Sequence, residues 1–280
     1  MTEKIVFVSA LILLVFVLAA ALAPWVTPQN PYALATLNLD ESKLAPGAQN
    51  ISRTLIFVLG TDDQGRDMLS AIVYGLRTSL LIGFVSTGLA LVLGTALGLW
   101  AGYKGGRTDV LVMRIADIQL SFPAILIALV LLAVLGQGIG KILTALVAVQ
   151  WAFYARTARS VALVERNKEY VEAALGLGLP VRLVIFTHLL PNCLPPLIVV
   201  AALQVASAIS LEATLSFLGL GLPITEPSLG LLIANGFQYM LSGTYWISFY
   251  PGIALLVTVM AINLVADYLR DVLNPKLQTV

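Results

Sequence analysis

Long apolar runs separated by short polar ones set the plan of this chain. Residues 5–23 are nineteen residues without a charge, enough for a helix to cross a bilayer core of about 30 Å. Further apolar runs cover 79–102, 111–135, 139–156, 194–216 and 247–268. The pattern predicts six transmembrane helices in an all-α, polytopic membrane protein. The first run also has features of a secretory signal, because Lys4 precedes it and Ala21-Leu22-Ala23 has a small-x-small form. Its length, and Pro24 directly after the would-be cleavage site, favour a retained helix.

The intervals carry their own patterns. Residues 24–78 are mixed and rich in turn formers, which predicts a water-exposed connection, and within it 65–77 has helical spacing of Met68, Leu69, Ile72, Val73 and Leu76 against Arg66, Asp67 and Arg77. That stretch is expected to lie as an amphipathic helix at the interface. In the second span Ala90, Gly94, Gly98 and Gly102 recur every four residues, a small-residue face that lets helix backbones approach closely where lipid supplies no hydrophobic push.

The most polar interruption in the membrane-spanning part is 165–192, with Glu165, Arg166, Lys168, Glu169, Glu172 and Arg182 between two apolar runs. A helix is predicted over 169–177, broken by Gly178, Leu179 and Pro180, with a second short helix that Pro191 closes. Val171, Ala174 and Leu175 fall on one side of the first helix and Glu169 and Glu172 on the other. Such a helix can rest on the membrane and still offer a knob to a soluble partner.

Glu172, Ala173, Ala174, then Gly178, then Leu190 and Pro191, resemble the loop signature of the permease subunits of binding-protein-dependent ABC importers. The broadest form of that signature has an aliphatic residue where this chain has His188; the peptide-type branch commonly has histidine there. LGTDDQGRDMLS (59–70), GGRTDVLVMRIADIQLSFP (105–123), LSFLGLG (215–221) and NLVADYLRDVLNP (263–275) are similar to the C-type permease of dipeptide, oligopeptide and nickel importers, in order over about residues 55–280. The resemblance implies a type I importer permease fold. It divides the chain into residues 1–75 (first helix and extracytoplasmic loop), 76–270 (permease core, with docking loop 157–192) and 271–280 (cytoplasmic tail). It also implies a second permease subunit as heterodimer partner, two ATPase subunits that bind ATP and Mg, and an extracytoplasmic binding protein that delivers peptide. Importers of this branch also carry nickel complexes, glutathione and opines. By the same resemblance Glu172, Ala173, Ala174 and Gly178 are contact and hinge positions, flanked by Glu169, Arg182 and Pro191.

Composition sharpens the class. The chain is 59% hydrophobic and 11% charged, against roughly 25% charged in soluble domains, so lipid must solvate much of its surface. The placement of charge then matters more than its sum. With the first terminus cytoplasmic, the inside segments hold eleven of the sixteen Lys and Arg in 65 positions and the outside segments five in 85. This bias places the docking loop and both termini in the cytoplasm, and the resemblance implies that the membrane is the bacterial inner (plasma) membrane. A net charge of +1 gives no reason to expect a nucleic-acid partner.

Catalytic or cofactor chemistry has little support. Gly136, Gly138, Gly140 and Lys141 lack the spacing and the following Ser or Thr of a phosphate loop, so nucleotide is expected only on partner subunits. One histidine and one cysteine make no metal or nucleophile constellation. Ionisable residues in spans call for a function or a partner. Arg114 and Asp117 are expected to pair at i, i+3; Asp267, Arg270 and Asp271 to form an interfacial network. Glu212, approached by a stripe of Gln204, Ser207 and Ser210, either lines the translocation path or pairs with another helix or subunit. A competing class, an ion-coupled carrier using Asp117, Glu212 and Asp267, needs no ATPase; a scaffold or receptor without transport is a third.

Overall fold

The computed structural model describes residues 3–33 and 37–273, so most of the expected tail (271–280) lies outside the described residues. Among the described residues eleven α-helices and one small hairpin follow in order: α1 (Glu3–Ala21), α2 (Ala23–Val26), β1 (Ala48–Gln49), β2 (Ile56–Phe57), α3 (Met68–Lys104), α4 (Gly106–Leu120), α5 (Ala124–Leu135), α6 (Ile139–Glu165), α7 (Glu169–Gly176), α8 (Val181–Val184), α9 (Leu190–Phe217), α10 (Leu229–Phe237) and α11 (Trp246–Leu273). The two antiparallel strands pair Ala48 with Phe57 and Gln49 with Ile56.

Among the described residues four helical stretches are long and apolar enough to cross a membrane, α1, α3, 181–217 and α11. The pair α4–α5 counts as a fifth if the bend between its halves lies within one span. The sixth expected span corresponds to α6, which is 27 residues long but carries Arg156 and Arg159 in its second half.

Three boundaries differ from the sequence expectation. The helix expected at the interface over 65–77 is the first part of α3: Asp67 accepts from Ser70 N at 2.9 Å as N-cap, Met68, Ile72, Val73 and Leu76 are buried, and nothing between Arg77 and Ser79 stops the helix. The run at 111–135 is broken, with α4 and α5 at 93°, because Pro123 excludes the helical conformation from the residue before it. Pro191 does not close the second helix of the docking stretch. It sits in the first turn of α9, where its missing N–H costs little, and α8 runs through a π-helical segment, Ile185–Leu189, into α9.

The centre of the bundle is the α3–α6 pair, and the glycine stripe explains its closeness. A Cβ on Gly94 would lie 2.2 Å from the Trp151 carbonyl oxygen, one on Gly98 2.2 Å from that of Ala155, and one on Gly102 2.9 Å from Ala162 Cβ. At the end away from the docking stretch, residues 39–67 form a tight clasp. Asp62 pairs with Arg66 at 2.5 Å, Thr61 Oγ1 donates to Glu41 O at 2.6 Å, and Trp246 Nε1 donates to Thr61 O at 3.1 Å. The glycines at 136–140 form the α5–α6 turn at that same end, where Gln137 Nε2 donates to Gly219 O at 2.7 Å.

Candidate docking site

Helix α7 is only eight residues long, too short to persist on propensity alone. Its apolar face holds it. Val171 and Ala174 are buried in one cluster with Leu99 of α3, Tyr154, Ala158 and Ala162 of α6, and Leu189, Cys193 and Leu197 at the start of the next span. Burying a valine contributes about 1.5–3 kcal/mol. The opposite face is open: Glu169, Glu172, Ala173, Gly176 and Leu177 are exposed, with Leu177 at 83%.

The helix ends in a Schellman turn. Leu179 N donates to Ala174 O at 3.2 Å and Gly178 N to Leu175 O at 3.0 Å, and Gly178 takes φ +79°. A Cβ there would meet nothing within 4 Å, so the glycine is required by backbone conformation rather than by space. Pro180 then caps α8, and Arg182 lies exposed on its first turn.

Polar contacts tie this knob to two spans. Tyr170 donates its hydroxyl to Glu165 Oε2, Lys168 Nζ pairs with Glu165 Oε1 at 2.7 Å, and Asn192 Nδ2 donates to Tyr170 Oη at 3.2 Å and to His188 O at 2.7 Å. The rings of Tyr170 and His188 lie 5.7 Å apart, which places His188 in the packing of the loop. Burial alone would raise the Glu165 carboxyl, but the hydrogen bonds from Lys168 and Tyr170 outweigh it and hold it below the usual carboxylate range. Partial desolvation and the hydrogen bond to Glu165 push the Tyr170 phenol up to about 12, so it stays a donor.

A second set of contacts clasps the α3–α4 turn to α6. Arg166 Nη1 donates to Gly102 O at 2.8 Å and to Tyr103 O at 3.3 Å, satisfying carbonyls that the end of α3 leaves free. Arg159 holds Asp109 through two hydrogen bonds, at 2.5 and 2.6 Å. Asp117 pairs with Arg156 of α6 at 2.5 Å, so the Arg114–Asp117 pair expected from spacing does not form. An in-helix neighbour lost to a long arginine on the facing helix.

The polar residues of α9 separate into two groups. Ser207 is exposed and Gln204 half-buried on one face. Glu212 lies on the other, 0% exposed, with Ser216 and Ser228 donating to Oε1 at 2.8 Å each and Ser79 to Oε2 at 2.9 Å. The stripe therefore does not lead to Glu212, which is sealed among hydroxyls of α3, α9 and the N-cap of α10. The partner residues Ser79 and Ser228 were not singled out by sequence reasoning; Ser228 starting an apolar helical run was the available signal. Asp117, Glu212 and Asp267 share no partner: Asp267 pairs with Arg270 at 3.4 Å, with Asp271 3.9 Å from the same arginine.

Residues 94–279 match the model of a family described as binding-protein-dependent transport system inner membrane component. The chain is 39% identical over 268 residues to the di/tripeptide transport system permease protein DppC of Pseudomonas aeruginosa, covering 96% of this chain and 87% of that protein. It is 42% identical over 272 residues to the dipeptide transport system permease protein DppC of Escherichia coli K12, covering 97% and 89%. The probable D,D-dipeptide transport system permease protein DdpC of the same organism is 38% identical over 96% of this chain and 86% of its own length. Among solved structures, a chain of the MetNI methionine ABC transporter in an inward facing conformation superposes with TM-score 0.59 at 21% identity, over 74% of this chain and 98% of that one. That likeness shows the type I importer permease fold.

Proposed function

The chain belongs to the family of binding-protein-dependent transport system inner membrane components, and from that premise we propose that it forms half of the translocation path of an ATP-driven importer of di- and oligopeptides. Three permeases to which it is 38–42% identical over nearly its whole length carry peptide transport in their names. In this reading a second, related permease completes the path, two ATPase subunits bind ATP and Mg and dock on the loop end, and an extracytoplasmic binding protein delivers peptide at the clasp end. Both termini and the docking loop face the cytoplasm, in keeping with the bias of Lys and Arg.

One observation carries the mechanical part. The exposed face of α7 rests on a buried face shared with α3, α6 and the start of α9. A push on Glu172, Ala173 and Leu177 is delivered through Val171, Ala174 and the Glu165–Tyr170–Asn192 contacts to three spans at once. Small residues at 173, 176 and 178 leave the tip narrow, which suits insertion into a cleft of the partner. Arg182 and Glu169 flank the tip and set its charge.

The test is reconstitution. Proteoliposomes holding both permeases and the ATPases are expected to accumulate labelled dipeptide only with ATP and the binding protein. Accumulation driven by a proton or sodium gradient without ATP would refute the reading.

A further inference from the structure

We propose that one anionic phospholipid binds this chain beside the docking element, with an acyl chain in a groove between α3 and the start of α9 and its headgroup among Lys104, Arg166 and Arg182. The site requires only that the chain spans a membrane.

Two adjoining cavities carry the inference. The first is a groove of about 700 Å³ between α3 and α9, apolar along nearly its whole length, with Val92, Leu99, Phe186, Leu194 and Ile198 in its walls. The second, of about 740 Å³, opens at the end of α3 and is lined by Lys104, Arg166 and Arg182 with no acidic residue. Trp100 and Ile185 line both, so one runs into the other. The sequence of surfaces along α3 is thus hydrocarbon, then an indole, then cations. Trp100 is half-exposed, and Lys104 Nζ lies 5.5 Å from its ring centre. Tryptophan and lysine at a helix end mark the level of lipid headgroups.

The charges select the lipid. Among the described residues no carboxylate forms an ion pair with Lys104, Arg166 or Arg182; Asp109 is paired with Arg159, and Arg166 acts on it only from a longer distance. Arg166 spends one amino group on the carbonyls of Gly102 and Tyr103. A phosphodiester with no cation of its own, as in phosphatidylglycerol, complements this end; phosphatidylcholine brings a positive group that has no acceptor there. A free phosphate would leave the groove unused, and an apolar helix of another subunit would leave the cations unmatched.

The position gives the lipid a consequence. Ile185 and Phe186 belong to the π-helical segment between the docking element and α9, a kind of helix defect that concentrates at functional sites. A seated acyl chain packs against that segment and stiffens the connection.

The experiment uses the whole transporter in phosphatidylcholine vesicles doped with phosphatidylglycerol carrying a photoactivatable acyl chain. Adducts are expected within 91–100 and 185–198, with clearly lower yield from the matching phosphatidylcholine probe. Lys104→Gln is expected to lower the yield about fivefold, from about 1 kcal/mol per basic residue near a membrane surface, and Val92→Trp to lower it by occupying part of the groove. Equal labelling by the two probes overturns the proposal, and that comparison needs no variant. Displacement by inorganic phosphate, or a photoreactive residue at position 92 joining a second subunit instead of lipid, also overturns it.

Discussion

Asn192 donates to the phenol oxygen of Tyr170 across 3.2 Å, and through this contact the start of α9 reaches α7. The same phenol donates to Glu165 at the end of α6. One hydroxyl therefore joins two spans to the loop between them, and each of its two hydrogen bonds adds a direction to the joint.

Tyr170→Phe keeps the ring packing against His188 and removes both bonds. A lost hydrogen bond costs about 0.5–1.5 kcal/mol net, so insertion and assembly are expected to be normal. Peptide-stimulated ATP hydrolysis is expected to fall while basal hydrolysis persists. Unchanged stimulation would mean that the apolar face alone transmits the motion.

Glu165 gives the same joint a pH dependence. Its folded carboxyl is held below the ordinary value, so its stabilising contribution is present above that value and lost as pH falls through the folded one. Hydrogen exchange over 166–180, corrected for intrinsic rates, is expected to be slow at neutral pH and to accelerate below about pH 4.5. Glu165→Gln should show the faster exchange already at neutral pH.

Gly178 separates conformation from contact. Its φ of +79° is tolerated by Asn and Asp and resisted by β-branched residues. Gly178→Asn is expected to keep the loop and uptake, and Gly178→Val to unwind the turn. Gly178→Asp is expected to keep insertion and loop protection but abolish substrate-stimulated uptake, because a charge is added to the exposed tip. Normal uptake by the aspartate variant would count against docking at this position.

The α3–α6 seam makes a stability prediction. Gly98→Ala puts a methyl 2.2 Å from the Ala155 carbonyl, and overpacking of this kind costs about 1–3 kcal/mol. The purified transporter is expected to melt at lower temperature. Gly88→Ala, where the added methyl meets nothing within 4 Å, is the control and should leave the melting temperature unchanged or slightly raised, since alanine is the better helix former.

Glu212 distinguishes structure from path. Glu212→Ala leaves the buried hydroxyls of Ser79, Ser216 and Ser228 without their acceptor, each at about 1–3 kcal/mol, and is expected to abolish stable assembly. Glu212→Gln retains one acceptor oxygen and should assemble with a lowered melting temperature and near-normal uptake. A glutamine variant of normal stability with altered substrate preference would instead place this residue on the path.

Much of the arrangement was legible in the sequence because membrane helices announce themselves by length and the polar loop at 165–192 by charge. The Gly94–Gly98–Gly102 spacing pointed to close packing, and Gly178 to the end of α7. What the sequence could not show was continuity. Whether 65–77 and 79–102 form one helix depends on Asp67 capping Ser70 and on the burial of Ile72 and Leu76, which are tertiary facts. Pro191 and Pro123 are the same residue type with opposite outcomes: one starts a helix inside a continuous run, the other breaks the apolar run 111–135 into two helices at 93°. Pairing across helices was equally hidden, since Asp117 chose Arg156 over the nearer-in-sequence Arg114.

The central claim is that the tip of α7 is pushed by an ATPase subunit from the cytoplasm. Leu177→Cys, in a Cys193→Ser background, tests it most directly, because Leu177 is the most exposed apolar side chain of the tip, at 83%. Cross-linking in intact transporter should join position 177 to the ATPase subunit, with a yield that changes between nucleotide-free and ATP-bound states. Labelling of that cysteine by an impermeant reagent from the extracytoplasmic side, or no cross-link to the ATPase in either state, would contradict the account.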